Sequence, residues 1–335
     1  MTLQHCVYAT SGWGIHDVRW TDALRSLGFE PTIVRLGIDA PTPAELRHRV
    51  DEAAGPDVPV LAGPLDSVTS YLIGIKAPII GLSWGFDLHT MSDRSWLPEL
   101  HGLIVDSDAT ARIATSAGVA PAAITFLPWG VDVERFTPEG PRADLTRWGV
   151  PKSAWTVLSL RAHESLYRVS DIFEGFAITS REVTDLHLLI GHSGSLTDEL
   201  RAQARELGID DRTHFIGSLP EEDLPALLRA TDVYVSASEV DGSSVTLLQA
   251  MACGTPVLTS DTEGNRPWVQ PGVTGHLFRT GDPRDLATEL VRIAHAESGT
   301  ATELTANARA LVQSRADWMS NIRQLADALS HSQTP

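Results

Sequence analysis

The chain has 335 residues and a mass of 36.2 kDa, with 42% hydrophobic and 21% charged residues, enough for two α/β domains with buried cores. A formal charge of −17, from 43 acidic against 26 basic residues, argues against unspecific binding to nucleic acid or anionic lipid. There is no window of membrane-spanning length and no basic-then-apolar leader after Met1, so a cytoplasmic protein with no stable membrane association is expected. The lysines are Lys76 and Lys152 alone, which leaves little room for lysine chemistry. Cys6 and Cys253 have neither metal spacing nor a disulfide framework, as suits a reducing compartment.

Strand-like and helical patterns alternate along the chain. Cys6 to Ala9 reads as a strand, followed by a helix whose Trp20, Ala23, Leu24 and Leu27 share a face before Gly28 stops it. Thr32 to Val34 is the next strand, and Thr42-Pro43-Ala44-Glu45 reads as a capping box with proline at the first helical position. Val58 to Ala62, Pro78 to Ser83 and Leu103 to Val105 follow as buried strands. A second series runs through Thr156–Ser159, Leu186–Ile190, His214–Ile216, Val233–Val235 and Pro256–Leu258. Helices are expected near 301–312 and 317–329, then a polar tail. Such alternation implies parallel sheets covered on both faces. The Pro/Gly-punctuated stretch from Trp129 to Pro141 breaks the pattern, so a linker is placed near 138–152. The expected division is 1–142, 143–315 and a C-terminal helix within 316–335 that packs back toward the first domain.

The most informative segment runs from Ser238 to Val257 as strand, turn, helix, glycine stop and strand. Gly242-Ser243-Ser244-Val245 opens the helix, whose free N–H groups and dipole suit an anion such as a diphosphate. Asp241 equally suits an N-cap, and the local chemistry leaves both readings open. Asp106-Ser107-Asp108 has the look of a metal motif but precedes a helical stretch, where capping explains it. No metal and no cofactor is expected.

Asp241, seven residues, Gln249 and then Ala250-Met251-Ala252-Cys253-Gly254-Thr255-Pro256-Val257 together resemble the signature of the retaining family-4 glycosyltransferases (glycosyl transferases group 1). Gly264-Asn265, Gly272 to Gly275 and Gly281-Asp282-Pro283 extend the likeness downstream. Gly191 to Gly194, Phe215-Ile216-Gly217, Leu127 to Asp132 and Phe136-Thr137-Pro138 extend it upstream. The resemblance implies an α/β fold of the GT-B type, two Rossmann-like doubly wound domains facing across a cleft. It further implies a metal-independent retaining transfer from a nucleoside-diphosphate sugar, GDP or UDP, in which the leaving phosphate accepts the acceptor's proton.

By the same resemblance Asp241 contacts the donor sugar and Gln249 the ribose. Arg161 faces the diphosphate, with Arg168 in place of the family's lysine. Gly242, Ser243, Ser244, Val245, Gly217 and Leu219 belong to the donor side. Gly12, Gly14 and His16, in the loop after the first strand, border donor phosphates and acceptor; Trp84 stands where many members have histidine, and Asp87 lies near the acceptor. Two departures stand out. Aspartate at 241 is one methylene shorter than the family's glutamate, and Gln249 keeps a hydrogen-bonding amide but no charge. Neither lysine sits where pyridoxal phosphorolysis would need it. The alternatives are a nucleotide-sugar-binding protein that has lost activity, or another GT-B enzyme such as an epimerase. The first domain has no basic amphipathic patch, so a soluble small-molecule acceptor is expected, in a bacterial specialised pathway.

Overall fold

The computed structural model describes residues 4–331. They divide into two compact units, one reaching to Pro128 and resuming at Met319, the other spanning Trp129–Trp318.

In the first unit, β1 (Gln4–Ser11), α1 (Ile15–Ser26), β2 (Phe29–Leu36), α2 (Pro43–Ala54), β3 (Val60–Ala62), β4 (Ile79–Leu82), α3 (Phe86–Thr90), β5 (Gly102–Val105), α4 (Asp108–Ser116) and β6 (Ile124–Phe126) follow in turn. The six strands are parallel in the order β2-β1-β3-β4-β5-β6. Gly28, at φ 86°, makes the turn that ends α1, and Thr42 Oγ1 accepts from Glu45 N at 3.2 Å to start α2. Val7, Ala9, Val60 and Ala62 of the sheet share one core with Leu46, Val50 and Ala54 of α2.

The second unit contains β7 (Trp155–Ser159), α5 (Val169–Thr179), β8 (Leu186–Gly191), α6 (Thr197–Glu206), β9 (Thr213–Gly217), α7 (Leu224–Ala230), β10 (Val233–Ser236), α8 (Val245–Ala252), β11 (Val257–Ser260), β12 (His276–Phe278), α9 (Pro283–Ala294) and α10 (Ser298–Arg315). Its sheet is also parallel, ordered β12-β11-β10-β7-β8-β9. Successive side chains go to opposite faces. Leu158, Leu189, Tyr234 and Val257 join a core with α8 and α10, whereas Val157, Leu188, Val233 and Leu258 join one with α5 and α9. Gly175 of α5 has no room for a Cβ against Leu286 and the Pro283 carbonyl, so the close approach of α5 to α9 needs glycine there. The last helix, α11 (Trp318–His331), begins the return to the first unit, where Asn321 Nδ2 donates to the Pro128 carbonyl at 3.2 Å.

The division falls earlier than the linker expected at 138–152. Val131 and Phe136 are buried in the second unit's core. Arg309 donates to the Phe136 carbonyl at 3.0 Å, and Arg229 to the carbonyls of Thr137 and Pro141, both at 2.9 Å. The Pro/Gly-rich stretch is therefore a strap on the second unit. β6 and β12, three residues each, were not anticipated. The end of the expected polar tail lies outside the described residues. No helix among the described residues is long and apolar enough to cross a membrane.

Histidines 16, 163, 187, 192, 214 and 276 all have lowered pKa values, in each case chiefly because burial disfavours the charged ring. His187 Nδ1 and His214 Nε2 lie 2.9 Å apart in a stacked pair that can share one proton only while at least one ring stays neutral. The unfolded chain takes up protons at these rings below about pH 6.5, before the folded chain does. Stability is thus fully present above that range and drains as pH falls, for His16 down to about pH 4. Urea midpoints at about pH 7.5, 6 and 5 are expected to decline in that order; a constant midpoint would show that the folded chain accepts these protons freely.

Candidate functional site

In the second unit β7 and β10 are parallel neighbours at the point where the connections change direction, the place where open α/β sheets bind ligands beyond the strands' carboxyl ends. Arg161 leaves β7 there, and the Asp241–Ser244 loop leaves β10. Arg161 Nη1 donates to Ser244 Oγ at 2.7 Å, and Nη2 donates to Asp241 Oδ1 at 3.2 Å while lying 3.1 Å from Oδ2. The guanidinium rests on the Tyr167 ring, 4.2 Å from its centre. The arginine and aspartate side chains are 11% and 12% exposed. Burial is the largest single influence and works against the arginine's charge, but Asp241, Tyr234 and Tyr167 together outweigh it, and the pKa lies above its usual value.

Ser244 occupies the N-cap position of α8, yet its side chain makes no cap bond. Asp241 is not the cap either, so pairing with Arg161, and not capping, is what its carboxylate does. The first turn of α8 is anchored instead by Tyr234, whose hydroxyl meets Thr246 Oγ1 at 2.7 Å. Glu239 N donates to the Leu166 carbonyl at 2.9 Å and ties the two loops together. Below them Ser260 Oγ donates to the Ser238 carbonyl at 2.6 Å and Asn265 Nδ2 to the Ser260 carbonyl at 2.9 Å. Arg161 Nε, Gln249 Oε1 and Asn265 Oδ1 are buried without a hydrogen-bond partner, unusual for polar atoms in a folded interior. Tyr167 was not given a role from the sequence, whereas Asn265 belongs to the family likeness read there without a role of its own. An aromatic six residues after Arg161 was the available signal for the first.

Arg168 stands apart from this constellation. It adopts φ 46°, is 34% exposed at its side chain, and donates from Nε to Asp171 Oδ2 at 2.7 Å. Its partner is Asp171, whereas the nearby Glu164 accepts from Ser195 N at 2.8 Å. Gly217 ends β9 at φ 71° with its carbonyl accepting from His192 N at 2.8 Å, and Leu219 packs on the adjoining core.

In the first unit the loop after β1 carries Gly12, at φ 95°, and Gly14, the N-cap of α1. The buried Asp17 accepts from Gly14 N at 2.7 Å through Oδ2, and from Tyr8 and Thr10 hydroxyls at 3.0 and 2.6 Å through Oδ1. His16 meets Trp84 edge to face, ring centres 5.7 Å apart, with its pKa held near 4 by burial and by Arg19. Trp84 lies against Gly63, where a Cβ would also strike the Leu82 carbonyl. Asp87 is wholly buried, and its oxygens accept from Ser83 Oγ and from the backbone of Leu65, Trp84 and Leu88. It shapes the 83–88 loop, and both its oxygens are engaged by donors of its own chain. In the 106–108 stretch Ser107 caps α4, accepting from Thr110 N at 3.2 Å. Among the described residues no group of three or more potential ligands is arranged for a metal.

The glycosyl transferases group 1 pattern matches residues 143–311, half of the chain. The chain belongs to this family. Among its relatives, a D-inositol 3-phosphate glycosyltransferase of Saccharomonospora viridis is 32% identical over 207 residues, 58% of this chain and 48% of that protein. A phosphatidyl-myo-inositol mannosyltransferase of Mycobacterium leprae is 32% identical over 203 residues, 60% of this chain and 51% of that protein. The alignments thus span about half the length of these relatives. Among solved structures, Anabaena Alr3699/HepE in complex with UDP and glucose superposes with a TM-score of 0.79 at 17% identity, covering 98% of this chain and 99% of that one. Sucrose-phosphate synthase from Thermosynechococcus elongatus gives 0.78 at 19% identity, covering 97% and 98%. These likenesses establish the GT-B fold of group 1 glycosyltransferases. The matched segment contains Arg161, Arg168, Asp241 and Gln249; His16, Trp84 and Asp87 lie outside it.

One group 1 glycine carries the loop's position. A Cβ on Gly264 would collide with the carbonyls of Asp241 and Gly242, both backbone atoms. Gly264→Ala is expected to displace the 241–244 loop and lower unfolding stability by about 1–3 kcal/mol, read from urea midpoints. An unchanged midpoint would mean that this loop adapts without cost.

Proposed function

We propose that the chain is a retaining glycosyltransferase that moves a sugar from UDP- or GDP-sugar to a soluble small-molecule acceptor. The observation that carries this reading is Arg161, fixed on Ser244 and Asp241 beside the start of α8, a fixed positive charge where a donor diphosphate would lie. In this reading the diphosphate displaces the Asp241 carboxylate from Arg161, and the freed aspartate turns to the sugar hydroxyls. Gln249 offers Oε1, partnerless in the interior, to a ribose hydroxyl. Gly242, Ser243 and Val245 line the phosphate side, with Gly217 and Leu219 nearer the base. Arg168 supplies a second guanidinium once it exchanges Asp171 for phosphate oxygen.

The reaction breaks the bond between sugar C1 and the β-phosphate oxygen and forms a bond from C1 to the acceptor heteroatom on the same face. The acceptor's proton passes to the departing diphosphate, so no protein base is required. The chain contributes orientation and stabilisation of the charge on the leaving group, with guanidinium in the role that a metal ion fills elsewhere. Gly12, Gly14, His16 and Trp84 of the first unit belong to the acceptor side. The relatives named for inositol 3-phosphate make a polyol phosphate one acceptor class to test. A cytoplasmic role in bacterial specialised metabolism completes the proposal.

Binding of the nucleotide sugar without turnover is the second reading, favoured by the Asp241 carboxylate's being committed to Arg161 and by the neutral Gln249. Calorimetric titration with UDP and with GDP in the presence of chelator separates the outcomes. Saturable binding of one nucleotide is expected, weakened about tenfold or more in Arg161→Ala, the loss of charge-assisted bonds to phosphate. Failure of both to bind folded protein would remove the donor assignment. Donor hydrolysis or transfer at parental rates in Asp241→Ala would show that this carboxylate takes no part in the chemistry.

A further inference from the structure

The loops leaving the carboxyl ends of β2, β1 and β4 in the first unit carry an apolar rim that the fold itself does not use. Trp13 is 43%, Ile38 56% and Phe86 40% exposed, whereas most large hydrophobic side chains of this unit are buried. Trp13 follows β1, Ile38 follows β2, and Trp84 and Phe86 follow β4. The strands stand as β2-β1-β3-β4, so the rim spans the sheet's own change of direction, where ligands of doubly wound sheets bind. Isolated exposed hydrophobics need no explanation, but several at one end of the same sheet, at such a position, do.

The exposed guanidinium of this rim is already matched. Arg35, beneath Trp13 at 5.9 Å, grips Asp39 with two bonds of 2.6 and 2.9 Å. Arg19 is engaged in interactions of its own. The start of α1 is the natural anion site of such a loop, yet Asp17 is built into it and takes Gly14 N–H. A phosphate there would meet the buried Asp17 carboxylate and a His16 ring that burial and the nearby Arg19 keep neutral down to about pH 4.

We propose that this rim receives the acceptor through an uncharged flat aromatic ring, stacked on Trp13 and Trp84 with Ile38 and Phe86 at its margins. The inference rests on the glycosyltransferase reading and narrows its acceptor to aromatic hydroxy compounds, excluding polyol phosphates.

Equilibrium dialysis with 2-naphthol, on the full chain without donor, tests it. Saturable binding is expected, weakened about two- to tenfold in Trp13→Ala and again in Trp84→Ala, the range of a lost aromatic stack. D-inositol 3-phosphate is expected not to compete. Trp13 is exposed, so its variant stays folded even if Trp84→Ala does not. UDP and GDP titrations on the same samples keep the two readings distinguishable: unchanged nucleotide binding beside naphthol binding that ignores both substitutions overturns this inference alone. Saturable binding of D-inositol 3-phosphate that displaces 2-naphthol overturns it as well. Loss of nucleotide binding in the parent, with naphthol bound as expected, overturns the donor reading and leaves the rim as an aromatic site.

Discussion

The buried contact between Arg161 and Asp241 sets the terms for the second unit. A guanidinium cannot shed its proton, and one that is 11% exposed must have an anion beside it. Removing either partner from such a pair strands a charge in the interior, so the two loops that carry them are bound to each other as firmly as the strands they leave. The pair also explains why the start of α8 lacks a side-chain cap. Ser244 Oγ, the atom that would ordinarily close the helix, is turned to the arginine. Under the proposed function a diphosphate would take the place of the carboxylate at Arg161, so the guanidinium would keep an anion beside it.

The rest of the unit keeps that contact in register. Behind Arg161, His163 bonds the Gly191 carbonyl through Nε2 and Thr197 through Nδ1, which fixes the loop after β7 onto the loop after β8. Gly194 leaves no space for a Cβ against the His163 carbonyl, and Gly264 none against that of Asp241. Two glycines in separate loops thus allow backbone to pass over backbone where the site is assembled. Their value is steric proximity more than flexibility, since neither has a positive φ.

Much of this is legible in the amino-acid sequence. Strands covered on both faces read as unbroken apolar runs, and those of β1, β7, β8 and β10 were visible for that reason. The segment from Ser238 to Val257 announced itself because turn, helix and strand chemistry coincide with a family signature. What escaped notice depends on side chains meeting over long sequence separations. Arg229 and Arg309 capture the carbonyls of the Thr137–Pro141 and Phe136 stretches, so a segment with linker composition became a strap. Arg168 sits in a left-handed turn that directs it to Asp171, and no spacing argument reveals that. Asp87 is placed near the acceptor by the family resemblance alone, and the sequence does not reveal that four donors of its own chain converge on it in the interior.

The two sheets treat the same structural opportunity in opposite ways. Each has a helix that starts just beyond a strand at the change of direction, with N–H groups and a positive dipole end on offer. In the first unit the offer is closed from within. Asp17, at the third helical position of α1, takes Gly14 N–H and two hydroxyls, so the site is neutralised by its own chain. In the second unit the corresponding acid, Asp241, lies before the helix and is held on a side chain, not on the backbone. A carboxylate held by an arginine can be exchanged for another anion at modest cost, whereas one wedged under a backbone loop cannot leave without undoing the loop. Under the proposed function, that difference is why the anionic donor is sought in the second unit and an uncharged acceptor in the first.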